Sequence, residues 1–137
     1  MVNSEVDIMD NTNIKILLVD DESDFTQPMS FWLKSKGYSV LVAPSGEDAI
    51  KIIKEQPVDI IFMDLNMPVM DGVTTVKKIR EFNNTVPIII ISAYVDDKRI
   101  SEATNYGISG VFYKGEDFQA GLALLESALR THKQLKK

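Results

Sequence analysis

The sequence predicts an α/β fold: a doubly wound, five-stranded parallel sheet with five helices, in three layers. Three observations predict it. Short runs of β-branched, leucine and aromatic residues recur at intervals that suit a strand–helix repeat. Segments with apolar residues at helical spacing fall between those runs. The unusual polar groups, Asp20-Asp21, Asp64, Ser92 and Lys114, each directly follow such a run. In a parallel sheet that position is the carboxyl end of a strand, where open α/β sheets bind their ligands.

The elements follow in order. Residues 1–12 are polar and unpatterned and are expected to form a flexible extension before a domain over 13–133 and a tail over 134–137. Ile14 to Val19 is a buried first strand. A helix with Phe25, Met29, Trp32 and Leu33 on its inner face follows. Because Pro28 lacks a backbone donor and crowds the preceding turn, that helix is expected to begin near Thr26 or to be irregular up to Pro28. Gly37 ends it, and Tyr38 to Ala43 is the second strand. Ser45-Gly46-Glu47-Asp48 resembles a capping box with Asp in the Glu position, and it opens a helix with Ala49, Ile50 and Ile53 inward. Val58 to Met63 is the third strand. A loop with Pro68 and the helix-starting Asp71-Gly72 leads to a helix with Val73, Val76 and Ile79 inward. Ile88 to Ile91 is the fourth strand. Ile100 and Ala103 mark a weaker helix ending near Gly107, Gly110 to Lys114 is the fifth strand, and Phe118, Leu122, Leu125 and Leu129 line a final helix.

Composition narrows the function. With 45% apolar residues the chain is globular. A net charge of −5 gives no electrostatic case for nucleic acid or for an anionic membrane. Without cysteine there are no disulfides and no thiolate metal sites. The longest apolar run, Val86 to Ile91, is interrupted by Pro87 and is far too short to span a bilayer. The N-terminus lacks the pattern of a secretion signal. The expectation is a soluble, cytoplasmic protein.

The polar residues at the strand ends make chemical sense together. Mg²⁺ prefers hard oxygen donors. Asp20, Asp21 and Asp64 offer carboxylates from two strands, and the Asn66 backbone carbonyl offers a further oxygen. Without a cation such carboxylates repel and raise one another's pKa. Asp64, beyond the central strand, is the natural nucleophile, since a carboxylate can attack phosphorus to give an acyl phosphate. Lys114 can neutralise one phosphoryl oxygen and the Ser92 hydroxyl can donate to another, while Ala93 leaves room. Met63, Met67 and Met70 read as packing, because thioethers suit soft metals. Trp32 reads as helix-face core, His132 as an exposed residue, and Lys133, Lys136 and Lys137 as a solvated tail.

Asp64-Leu65-Asn66-Met67-Pro68-Val69-Met70-Asp71-Gly72, with the early Asp pair and the late Lys, resembles the receiver domain of two-component response regulators, over roughly residues 13–133. The resemblance implies a flavodoxin-like sandwich with strand order 2-1-3-4-5. It makes Asp64 the phosphoacceptor, with Asp20, Asp21 and the Asn66 carbonyl at Mg²⁺, Ser92 the switch hydroxyl and Lys114 the family's lysine. The phosphoryl donor would be a histidine kinase or histidine phosphotransfer protein. The fourth helix, fifth strand and fifth helix would form the face for a downstream partner, and Asp97, Lys98 and Arg99 there could pair across a homodimer. Tyr94 sits where bulk can shield the phosphoryl group. On this reading the chain catalyses only its own phosphorylation and dephosphorylation.

Two residues depart from the family pattern. Val111 stands where an aromatic residue is usual, and Phe112 next to it points to the opposite face. Gly115 stands where proline commonly follows the lysine, so a trans Lys114–Gly115 bond is expected. These departures support an alternative, a receiver fold that binds partners without phosphorylation. A haloacid-dehalogenase-like phosphatase would want Asp at position 66, and a flavodoxin-type cofactor domain would want a phosphate loop where Asp20-Asp21 stands. No output domain is recognisable, so the signal, the cognate kinase and the output stay open.

Overall fold

The computed structural model describes residues 13–136, with side chains through Thr131. In chain order the elements are β1 (Lys15–Val19), α1 (Ser23–Ser35), β2 (Ser39–Ala43), α2 (Gly46–Glu55), β3 (Ile60–Asp64), α3 (Gly72–Arg80), β4 (Ile88–Ser92), α4 (Lys98–Thr104), β5 (Gly110–Tyr113) and α5 (Phe118–Lys136). All strand pairings are parallel and the sheet order is β2-β1-β3-β4-β5, as the sequence predicts.

Alternation along the strands supplies two cores. Leu17, Val19, Ile61, Met63, Ile88 and Ile90 face Ala49, Ile53, Val76, Ile79 and Ala103 of α2, α3 and α4. Ile16, Leu18, Ile60, Phe62, Ile89 and Ile91 face Met29, Leu33, Leu125 and Ala128 of α1 and α5. The three central strands therefore bury both faces, which is why they read as unbroken apolar runs. Each fully buried side chain of this size stabilises by about 1.5–3 kcal/mol.

Three details differ from the sequence expectations. Helix α1 starts at Ser23, three residues earlier than expected, with Pro28 inside it. The first turn closes through the Glu22 carbonyl, which accepts from the Phe25 and Thr26 N–H groups at 3.0 Å each. Pro28 only deprives the Asp24 carbonyl of a donor, and exposed Asp24 leaves that carbonyl within reach of water. At α2, Ser45 caps the Asp48 N–H at 3.1 Å, but the Ser45 hydroxyl donates to the Asp48 carboxylate at 3.0 Å. Asp, one methylene shorter than Glu, thus meets the hydroxyl instead of reaching back to the backbone. Helix α5 runs to Lys136, so the expected tail is helical through that residue. The extension over 1–12, the side chains of His132, Lys133 and Lys136, and Lys137 lie outside the described residues.

One residue unmarked in the sequence fastens one face. Arg80, ending α3, donates to the carbonyls of Tyr106 (2.8 Å) and Gly107 (2.7 Å) beyond α4, and to Asn83 (3.2 Å) and Val86 (2.8 Å) before β4. Burial lowers its pKa from the ordinary arginine value.

Candidate functional site

Strands β1 and β3 lie side by side with Val19 opposite Met63, so the next residues, Asp20 and Asp64, meet at the carboxyl edge of the sheet. Both are buried, 1% and 2% exposed, whereas Asp21 is exposed. Carboxylate oxygens of Asp20, Asp21 and Asp64 all lie within 4.8 Å of one another. Burial, then the charge of Asp20, push the Asp64 carboxyl up to about 7, against the opposing pull of Lys114 and of a hydrogen bond from the Asn66 backbone N–H. The Oδ2 atom of Asp64 is buried without a hydrogen-bond partner, and that of Asp20 meets the Lys114 ammonium. An orphaned Asp64 oxygen beside the carboxylates of Asp20 and Asp21 fits a divalent oxygen-seeking cation such as Mg²⁺.

Lys114, just past β5, reaches the same acids. Its Nζ lies 2.9 Å from Asp20 Oδ2 and 3.8 Å from Asp64 Oδ1, and it also pairs with Glu22. Burial acts to lower the Lys114 pKa, but Glu22, Asp20 and Asp64 together outweigh it and raise it. The ammonium also sits 5.1 Å from the Phe25 ring centroid, and Phe25 packs against Phe112 and Phe118. Glu22 and Phe25 are site residues that sequence reasoning missed as partners of Lys114. The contact spans 92 positions, and only the fold brings them together.

Ser92 ends β4, beside Tyr113 of β5, and its carbonyl accepts from the Lys114 N–H at 2.8 Å. Its hydroxyl is turned to its own loop: it donates to the Tyr94 carbonyl at 2.8 Å and accepts from the Tyr94 N–H at 3.1 Å. To serve a group on Asp64 it would have to leave both bonds. Val111 lies on the α2–α4 side of the sheet and Phe112 is buried on the α1–α5 side, as alternation predicts. Tyr113, one pleat beyond Val111 on the same side and next to Ser92, is an aromatic residue the sequence reading did not weigh. All described peptide bonds are trans, including Lys114–Gly115. Gly115 has φ +98°, which a proline ring, locked near −65°, cannot adopt.

The loop after Asp64 contains a conformational outlier. Val69 has φ +68°, and the Met70 N–H donates to the Pro68 carbonyl at 2.9 Å, closing a γ-turn with a positive-φ centre. A β-branched residue there is strained. Its side chain is 94% exposed, so packing does not repay the strain. Val69→Gly is expected to stabilise the protein by about 1 kcal/mol, the relief being partly offset by the entropy glycine gains when unfolded. A urea titration checks it, and an unchanged or lower midpoint would count against the strain.

On the far side of the loop, Arg99 pairs with Asp97, the residue before α4, at 2.8 Å, and its Nη1 donates to the Leu65 carbonyl at 3.1 Å. Hydrogen bonding to Arg99 holds the Asp97 carboxyl below its ordinary value. Asp97 and Arg99, which the sequence suggested could pair across a dimer, are thus engaged within one chain, and Lys98 is left exposed.

A family model for the response regulator receiver domain matches residues 16–126. This chain is a receiver domain of that family. It is 36% identical over 125 residues to the transcriptional regulatory protein ZraR of Escherichia coli K12, covering 90% of this chain but 28% of that protein. It is 38% identical over 89 residues to the transcriptional regulatory protein PrrA of Mycobacterium tuberculosis, covering 64% of this chain and 38% of PrrA. The receiver domain thus spans about a third of these relatives. Among solved structures, a two-component response regulator from Clostridium difficile superposes with TM-score 0.80 at 31% identity, over 85% of this chain and 96% of that one. The chemotaxis protein CheY4 of Vibrio cholerae does so with TM-score 0.77 at 30% identity, over 85% and 98%. Among the described residues, no helix is long and apolar enough to cross a membrane.

Proposed function

We propose that this receiver domain accepts a phosphoryl group on Asp64 from the phosphohistidine of a kinase or phosphotransfer protein, and that the new charge changes which partner it binds. The observation that carries this reading is the buried Asp20–Asp64 pair under Lys114, with the ammonium on Asp20 Oδ2 and Asp64 Oδ2 left without a hydrogen bond. Such a pair stores repulsion that a bound cation relieves.

In the transfer, an Asp64 carboxylate oxygen forms a bond to phosphorus while the phosphorus–nitrogen bond of the donor breaks. The leaving imidazole takes up a proton from solvent. Asp20, Asp21, Asp64 and the Asn66 carbonyl would hold Mg²⁺, which when bound offsets negative charge on the phosphoryl oxygens. Lys114, drawn from Glu22 and Asp20, pairs with a phosphoryl oxygen. Ser92 turns from Tyr94 to donate to another and so carries the change into the loop before α4. The added charge, about −1.5 to −2, is the signal to be read.

An open groove of about 500 Å³ runs from Asp20 and Asp21 along α1 to Phe31 and Val42, both exposed, and suits the docking of a phosphohistidine-bearing helix. The α4–β5–α5 face is the proposed surface for the downstream partner, in the cytoplasm, with no direct contact to nucleic acid and no catalysis beyond the domain's own phosphorylation and dephosphorylation.

Incubation with acetyl phosphate and Mg²⁺, followed by intact mass, is the test. One added phosphoryl group is expected in wild type, none in Asp64→Asn, and none with chelator. Absence of labelling in wild type, or equal labelling of Asp64→Asn, would reject the proposal in favour of a phosphorylation-independent binding module.

A further inference from the structure

The peptide unit between Leu65 and Asn66 is held at both ends. Its N–H, from Asn66, donates to the Asp64 carboxylate. Its carbonyl, from Leu65, accepts from the Gly72 N–H at 3.0 Å and from Arg99 Nη1 at 3.1 Å. The first donor starts α3 and the second lies in α4, so three elements converge on one peptide beside the acceptor. Arg99 is itself aimed: Asp97 takes its Nε at 3.0 Å and its Nη2 at 2.8 Å, which leaves Nη1 directed at Leu65. Arg99 also feels the charges of Asp71 and Asp64.

A cation on a peptide's carbonyl end polarises the unit and strengthens its N–H as a donor. The same grip fixes the plane that precedes the Asn66 carbonyl, one of the oxygens assigned to Mg²⁺. Taking Asp64 as the phosphoacceptor, we infer that Arg99 is a positioning residue for phosphoryl transfer. It acts through the Leu65–Asn66 peptide to orient and stabilise the Asp64 carboxylate, and it ties the placement of α4 to the state of that carboxylate. Val111 leaves the family's usual aromatic relay unfilled, and the Arg99 contact supplies a physical route between the acceptor and α4 that does not pass through β5. By reciprocity, whatever moves α4 alters the acceptor by the same coupling.

The guanidinium is needed for its geometry as well as its charge. Its planar fork meets Asp97 twice and Leu65 once, which a lysine ammonium cannot reproduce. Arg80 offers a matched control. It clamps the other end of α4 with two backbone hydrogen bonds and the loop before β4 with two more, and contributes none to the loop after Asp64.

The experiment follows acetyl phosphate labelling over time by intact mass, across a Mg²⁺ series, in wild type, Arg99→Ala, Arg99→Lys and Arg80→Gln, each with its thermal midpoint. In Arg99→Ala the labelling rate at saturating Mg²⁺ is expected to fall about fivefold, and the Mg²⁺ concentration for half-maximal rate to rise. Arg99→Lys should recover only part of the rate. Arg80→Gln should lower the thermal midpoint while labelling near the wild-type rate. If Arg99→Ala labels like wild type, the inference fails and the phosphoacceptor reading stands. If Arg80→Gln slows labelling as much as Arg99→Ala for the same loss of thermal midpoint, Arg99 is only structural and the inference also fails. If wild type itself does not label, the functional reading falls first.

Discussion

Asp64→Asn is expected to make the metal-free receiver domain more stable at neutral pH, by about 2–4 kcal/mol, while removing the proposed acceptor. The sign follows from the direction of the shift. Burial and the Asp20 charge raise the Asp64 pKa to about 7 in the folded protein, against about 3.9 in an unfolded chain. Between those values the folded state binds the extra proton, so this group's contribution is fully present below about pH 4 and is lost as pH rises through about 7. Asn keeps the shape and carries no charge, so that slope should vanish. Denaturant titrations of both proteins in chelator from pH 4 to 8 measure it as the difference between the two curves. Added Mg²⁺ should restore wild type most above pH 7, where Asp64 is charged, and should act less on Asp64→Asn. Parallel pH curves for the two proteins would contradict the buried-pair account.

Gly72→Ala is expected to destabilise the protein by about 3 kcal/mol or more and to slow labelling. A Cβ at Gly72 would lie 2.2 Å from the Asp64 carbonyl oxygen and 2.7 Å from Leu65 Cα. Both are backbone atoms of the segment that presents the acceptor, so neither can swing aside as a side chain would. The start of α3 would have to back away from the end of β3, weakening the 3.0 Å bond from the Gly72 N–H to the Leu65 carbonyl. Thermal denaturation checks the stability, and the acetyl phosphate time course checks the site. A Gly72→Ala protein with the wild-type midpoint would mean that α3 can shift without cost.

The order of elements was legible because periodicity survives in one dimension. The fully buried β4 reads as four consecutive isoleucines, and α2 shows its inward Ala49 and Ile53 at helical spacing. The start of α1 was misread because Pro28 was weighed as a local breaker. Whether the Asp24 carbonyl can find water instead depends on exposure, which sequence spacing does not carry. Asp20, Asp64, Ser92 and Lys114 could be grouped in advance, since strand ends of a parallel sheet share one edge. Their partners could not. Glu22 and Phe25 at Lys114, Tyr94 at Ser92 and Arg99 at Leu65 depend on where loops and helix starts land after packing.

By itself the sequence determined the parallel α/β sheet, its two buried faces and the carboxylates, hydroxyl and ammonium at one edge. Those properties follow from residue type and period alone. Only the tertiary structure decided how that edge is wired. It leaves the buried Asp64 Oδ2 without a hydrogen bond, turns the Ser92 hydroxyl into its own loop, and places Gly115 at a φ closed to proline. It also engages Arg99 with the peptide beside Asp64. The physical reason is range. Hydrophobic period acts between residues a few positions apart, whereas desolvation and charge at this site act between groups that meet only once the sheet has formed.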